Sequence, residues 1–152
     1  MVNKGLKPKY KKILLGLFIV LLAGAGVVWY IFTEKFTDTA NRKSDFTVNA
    51  MDFIKEFRQN ASMANRKYTE KIVVVNGIVL SIEAADTTAN IKFADTSTGD
   101  YIIFAFQEQH LADAKKLQEG QQVSIKGSCS GGAYSEILGI NYISFKRAAH
   151  NK

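Results

Sequence analysis

KIVVVNGIVLSIE, running from Lys71 to Glu83, is the stretch on which the fold turns. It is dense in β-branched residues, which favour extended backbone, and it carries Gly77 near its middle. Glycine inside such a run marks a bulge or a sharp bend. A long first strand with a central bend can serve both halves of a small barrel.

The neighbouring stretches fit that reading. Downstream, Asn90–Asp95 alternates Ile91 and Phe93 with Lys92 and Ala94, the pattern of a half-buried strand. Thr96 to Asp100 reads as a hairpin loop, and Tyr101–Phe106 as a third strand with Ile102, Phe104 and Phe106 on one face. Glu108–Glu119 breaks the series: Leu111, Ala114 and Leu117 form a helical apolar edge, and Gly120 is a natural stop. Gln121–Cys129 is a fourth strand, Ser130-Gly131-Gly132-Ala133 a loop, and Glu136–Phe145 a fifth strand. Upstream, Asn49 can cap a helix over 50–66, with Phe53, Ile54, Phe57, Ala61 and Ala64 on its apolar face.

The predicted class is mainly β with flanking helices. Its order, β-β-β-α-β-β after an amphipathic helix, is that of the OB-fold, a five-stranded partly open Greek-key barrel. The domain is placed at 46–147, with a polar tail at 148–152. OB-folds bind ligands on strands two and three, beside the loops after strands one and four. Lys92, Tyr101 and Ile103 are expected to face outward there, with Tyr134 in the loop after strand four. A cation beside aromatic rings can stack a base or a sugar.

Five short motifs carry a resemblance. They are Ala50-x-x-Phe53-x-x-x-Phe57, then Lys67-Tyr68 with Lys71, and Val75-x-Gly77-x-Val79. Leu117-x-x-Gly120-x-x-Val123 and Lys126-Gly127-x-Cys129-x-Gly131 complete the set. With them, Phe46 to Ile143 resembles the tRNA anti-like family, OB-fold domains of bacterial membrane proteins and lipoproteins. The resemblance implies the fold and a bacterial envelope setting; the family's name does not imply tRNA binding.

Ahead of the domain lie an anchor and a stalk. Lys4, Lys7, Lys9, Lys11 and Lys12 form a basic tail (1–12), followed by the uncharged run Ile13–Phe32. At about 1.5 Å per residue such a helix spans about 30 Å, the hydrocarbon thickness of a bilayer. The lysines favour a cytoplasmic N-terminus, which puts the domain in the periplasm or exterior of a bacterial inner membrane. Cleavage after Ala23-Gly24-Ala25 is the competing reading, but it leaves Val27 to Phe32 on the mature N-terminus. Residues 33–45 are polar and read as a stalk. Asp38-Thr39-Ala40 on it resembles a bacterial O-glycosylation tripeptide.

Charge argues against a strong phosphate grip. Of the net +6, the first twelve residues supply +5, whereas residues 45–152 hold twelve Lys plus Arg and twelve Asp plus Glu. His110, expected to flank the short helix, and His150, expected in a solvated tail, show no metal spacing with Cys129. Cys129, the single cysteine, reads as a small buried hydrophobe, with a mixed disulfide to a partner as the alternative. Asn60-Ala61-Ser62 is read as a chance glycosylation match. No catalytic set, cofactor or metal is predicted. The expected function is a non-enzymatic binding module for a protein or envelope glycan, with nucleic acid as the alternative ligand and an enzyme or enzyme subunit ranked last.

Overall fold

The computed structural model describes residues 8–33 and 38–152. Lys4 and Lys7 of the expected basic tail, and residues 34–37 of the expected stalk, lie outside the described residues. The chain divides between Phe36 and Thr37 into two units, each described by itself. The first is a helix, α1 (Pro8–Thr33). Its 21-residue stretch Lys12–Phe32 is long and apolar enough to cross a membrane. A helix satisfies its backbone groups internally, the condition that lipid imposes on any spanning segment.

The second unit is a seven-stranded sheet with helices. In chain order it contains β1 (Phe46–Asn49), α2 (Ala50–Gln59), α3 (Ala61–Tyr68), β2 (Ile72–Ile78), β3 (Ser81–Ala84) and β4 (Ala89–Ala94). β5 (Tyr101–Phe106), α4 (Leu111–Ala114), β6 (Gln122–Ser135) and β7 (Ile140–His150) follow. The strands lie in the order β1-β2-β6-β7-β5-β4-β3. β1 pairs with β2, and β5 with β7, in parallel; the other pairs are antiparallel.

The expected five-stranded barrel is therefore corrected. The hydrogen-bonded ladder has seven strands and ends at β1 and β3, without closing. The long first strand breaks at Val79-Leu80, because its halves have different partners: β2 pairs with β6 and β3 with β4. Each linking residue bonds to one side. Val79 N donates to Gln121 O (3.0 Å), and Leu80 N donates to Lys92 O (2.8 Å). Gly77 has another role. A Cβ there would lie 2.7 Å from both Ala50 Cβ and Phe93 Cδ2, so glycine permits α2 and β4 to pack close.

Other boundaries move for local reasons. The expected helix 50–66 is two helices: Asn60 leaves helical geometry (φ −156°, ψ 85°), and its side chain caps α3 by accepting from Met63 N. The expected helix at 108–119 shrinks to a 3-10 turn, Glu108–His110, and the single turn of α4, although Leu111, Ala114 and Leu117 are buried as the pattern implied. Ser130–Ala133 is strand rather than loop, and the hairpin turn falls at 136–139. Gly132 is there because α2 comes close: a Cβ would sit 2.6 Å from Phe57 Cδ1. The expected tail 148–152 is strand as far as His150, with Ala148 and Ala149 buried.

Residues 38–45 also depart from the stalk reading, because they are fastened to the sheet. His110 Nε2 donates to Asp38 Oδ1 (2.7 Å), and Lys126 Nζ donates to the carbonyls of Ala40 (3.0 Å) and Arg42 (3.1 Å). Asp45 N donates to Ile72 O, and its carboxylate accepts from Ile72 N. Thr39 is only 1 % exposed, so its hydroxyl is closed to a glycosyltransferase.

The core lies between the sheet and its helices. Phe53 and Phe57 of α2 meet Tyr68 of α3 with ring centroids 4.8 and 6.0 Å apart, and Phe53 reaches Phe145 of β7. Glu56 joins the two helices by accepting from Lys67 Nζ and Tyr68 OH, each at 2.8 Å. Burial raises the Glu56 carboxyl, but those two hydrogen bonds outweigh it and hold the group below its ordinary range.

Candidate ligand-binding face

Alternation along β4 and β5 sends Ile91, Phe93, Ile102 and Phe104 inward and leaves the intervening residues on the outer face. Lys92 and Ile103 are register partners on that face, so they sit side by side. Tyr101 lies two residues from Ile103 on the same side. Lys92 Nζ is 5.0 Å from the centre of the Tyr101 ring, within cation–π range. Lys92 also lies 3.5 Å from Glu83 of β3, which tempers its charge. Three of the four expected residues are thus brought together.

Tyr134 is not. It stands in β6, paired with Asn141, on the face opposite Tyr142. The cause is the displaced turn: once β6 continues through Ser135, alternation decides which side Tyr134 takes.

Tyr142 occupies the place that Tyr134 was expected to fill. Parallel pairing of β5 with β7 sets Tyr101 against Tyr142, and their rings stack at 6.1 Å with 23° between planes. Sequence reasoning missed Tyr142 because a parallel contact between strands separated by a helix leaves no local pattern. Asp100 steadies this pair. It is buried, and its Oδ1 accepts from Asn141 N (2.7 Å), tying the β4–β5 turn to the residue before Tyr142.

Beside Tyr142 lies a groove of about 370 Å³, bordered by Asn65, Thr69, Ser130 and Ser144. Asn65 fixes one wall by donating to Gly132 O (2.9 Å) and accepting from Gly132 N (2.8 Å). Gly131 in this wall has φ +104°, and a Cβ there would sit 2.7 Å from Asn65 Oδ1. The face therefore offers two stacked rings, one cation and a row of neutral hydrogen-bonding groups. Such a surface can hold a flat or ring-shaped polar ligand without a net charge requirement.

The remaining chemistry-bearing residues have structural surroundings. Cys129 is buried, and desolvation pushes its thiol up to about 11, so it is protonated and unreactive at neutral pH. His110 stands before α4 and holds Asp38; His150 lies in β7 rather than in a solvated tail. Among the described residues, no group of three or more His, Cys, Asp or Glu is placed to hold a metal ion.

The tRNA_anti-like family profile matches residues 6–139. A sequence search of curated proteins finds no match. Among solved structures, the chain is similar to a "putative nucleic acid-binding lipoprotein" from Klebsiella pneumoniae subsp. pneumoniae MGH 78578. The identity is 18 %, the TM-score 0.56, and the match covers 73 % of this chain and 100 % of that one. A "putative aspartyl-tRNA synthetase" from Leishmania major Friedlin matches at 9 % identity and TM-score 0.45, covering 78 % of this chain and 22 % of that one. Asparaginyl-tRNA synthetase from Pyrococcus horikoshii, complexed with asparaginyl-adenylate, matches at 17 % identity and TM-score 0.36, covering 55 % of this chain and 20 % of that one. At these identities the lipoprotein likeness concerns the fold alone.

Proposed function

This chain belongs to the tRNA_anti-like family, and on that footing we propose that it is a membrane-anchored, non-enzymatic OB-fold module that binds an envelope glycan. The supporting observation is the Tyr101–Tyr142 stack with Lys92 beside it, on an open face next to a neutral polar groove. Sugars present an apolar ring face that suits aromatic stacking, and hydroxyls that suit Asn, Thr and Ser side chains. The helix α1 is retained as the anchor, with the lysines on the cytoplasmic side and the domain beyond the inner membrane.

Calorimetric titration of the detergent-solubilised full chain with soluble peptidoglycan fragments tests the ligand. Tyr101→Ala and Tyr142→Ala should each weaken binding about tenfold or more, the scale of one lost stacking contact. Binding indifferent to both substitutions overturns this site. The second reading, single-stranded nucleic acid on the same face, draws on the Lys92–Tyr101 pair. Binding to an oligonucleotide that falls steeply between two salt concentrations supports that reading over glycan. Protease added to spheroplasts should remove the domain; protection until lysis overturns the orientation.

A further inference from the structure

Residues 38–44 run against β6 and β7 but are held there by polar contacts. The segment Asp38-Thr39-Ala40-Asn41-Arg42-Lys43-Ser44 carries no apolar side chain larger than the methyl of Ala40, and none of its residues belongs to the hydrophobic core. His110 holds Asp38 (2.7 Å), Lys126 holds the carbonyls of Ala40 (3.0 Å) and Arg42 (3.1 Å), and Thr39 N reaches Gln107 Oε1 at a long 3.5 Å. Each such bond contributes little net stability, because the same groups bond to water when free. Ordering the segment, by contrast, costs backbone entropy at every residue. Thr39 adds a penalty of its own. It is buried, and its Oγ1 has no hydrogen-bond partner among the described residues.

Asp45 is held differently. Its N–H donates to Ile72 O and its carboxylate accepts from Ile72 N, which extends the β1–β2 pairing by one residue. The segment thus has a fixed end at Asp45 and a weakly held body before it, the make-up of a unit that opens locally at less cost than global unfolding. We propose that residues 38–44 are a reserve of tether: they undock together, with Asp45 as the pivot, while the domain stays folded. Release adds these seven residues to the link between α1 and the domain, and at about 3.3–3.6 Å per residue it lengthens the reach by up to about 25 Å. The gain in reach rests on the reading of α1 as an anchor; the undocking does not. A ligand farther from the membrane than the docked strap allows draws the strap out, because only the open form can hold it.

Thiol labelling of the full chain in lipid vesicles tests the undocking. Thr39→Cys puts a thiol of similar size at a covered position, and the buried Cys129 reports global opening. The introduced thiol should react at least about tenfold faster than Cys129, at a rate that low denaturant barely changes, since little surface is exposed when the strap opens. Adding Lys126→Ala should raise that rate about fivefold, the scale of one lost charged hydrogen bond. Equal rates at the two thiols, or no response to Lys126→Ala, overturn the proposal. Reach is read by energy transfer from a donor on Ile137→Cys, a 95 % exposed position, to acceptors in the lipid headgroups. Thr39→Arg, too large for its covered site, should lower the transfer while Cys129 stays protected. The proposal falls if transfer is unchanged, or if Thr39→Arg opens Cys129 to the reagent, since the strap is then part of the fold. A chain that fails to float with the vesicles overturns the anchor reading and the gain in reach with it, and the labelling rates still decide the undocking.

Discussion

β2 and β4 follow the same alternation, yet one is buried on both faces and the other on one. In β2, Val73 and Val75 join the core, and Val74 between them is also buried. In β4, Ile91 and Phe93 join the core, while Lys92 between them stays half-exposed. The difference lies in what covers the outer face. Lys126 is the register partner of Val74, and it holds the carbonyls of Ala40 and Arg42 over that half of the sheet. Nothing comparable among the described residues lies over Lys92, Tyr101 and Tyr142. One half of the sheet is closed for stability, and the other is left accessible.

That contrast is open to direct attack. The largest effect is expected in the shared core: Phe53→Ala removes a ring that packs on Phe57, Tyr68 and Phe145, and should cost about 3–5 kcal/mol in denaturant unfolding. A cost below about 1 kcal/mol would mean that the helices contribute little to the core. Next, Lys126→Ala should destabilise the domain by about 1 kcal/mol, since it leaves the part-buried Ala40 carbonyl without its charged donor while the exposed Arg42 carbonyl turns to water. It should also expose residues 38–45 to limited proteolysis. Unchanged cleavage there would show that the covered half does not depend on this fastening.

A third effect is pH-dependent. The hydrogen bond from His110 holds the Asp38 carboxyl below its ordinary value. A depressed folded pKa means that the contribution is complete above the unfolded value, about 3.9, and is lost as pH falls through the lower folded value. Asp38→Asn should therefore flatten the acid limb of the stability curve below about pH 4 while changing little of its shape above. An unaltered acid limb would show that other carboxylates dominate. The smallest effect belongs to the open face. Lys92→Ala should shift stability by no more than about 0.5 kcal/mol, as surface substitutions do. A loss as large as that of Lys126→Ala would erase the distinction between the halves.

The legible parts of the sequence were those governed by local period. Tyr101–Phe106 was read at its observed limits, and β4 to within a residue, because alternation of large apolar side chains is a strong signal. The outward placement of Lys92, Tyr101 and Ile103 followed from the same alternation. Glycines misled. Gly131-Gly132 looks like a turn, yet it serves close approach by Asn65 and Phe57. The residue type is the same, and only the partner distinguishes the two uses. Phe46–Asn49 was too short to be read as a strand, and it exists because β2 offers an edge to pair with.

By itself the sequence determined the long apolar helix, the mainly β character of the domain, and the inward residues of β4, β5 and the start of β6. These depend on length, hydrophobicity and period, which are properties of neighbours along the chain. Only the tertiary structure decided that Tyr142, and not Tyr134, stands beside Tyr101, that residues 38–45 cover one half of the sheet, and that the first strand breaks at Val79-Leu80. Each of these depends on pairing between segments far apart in sequence, where a shift of one residue sends a side chain to the opposite face.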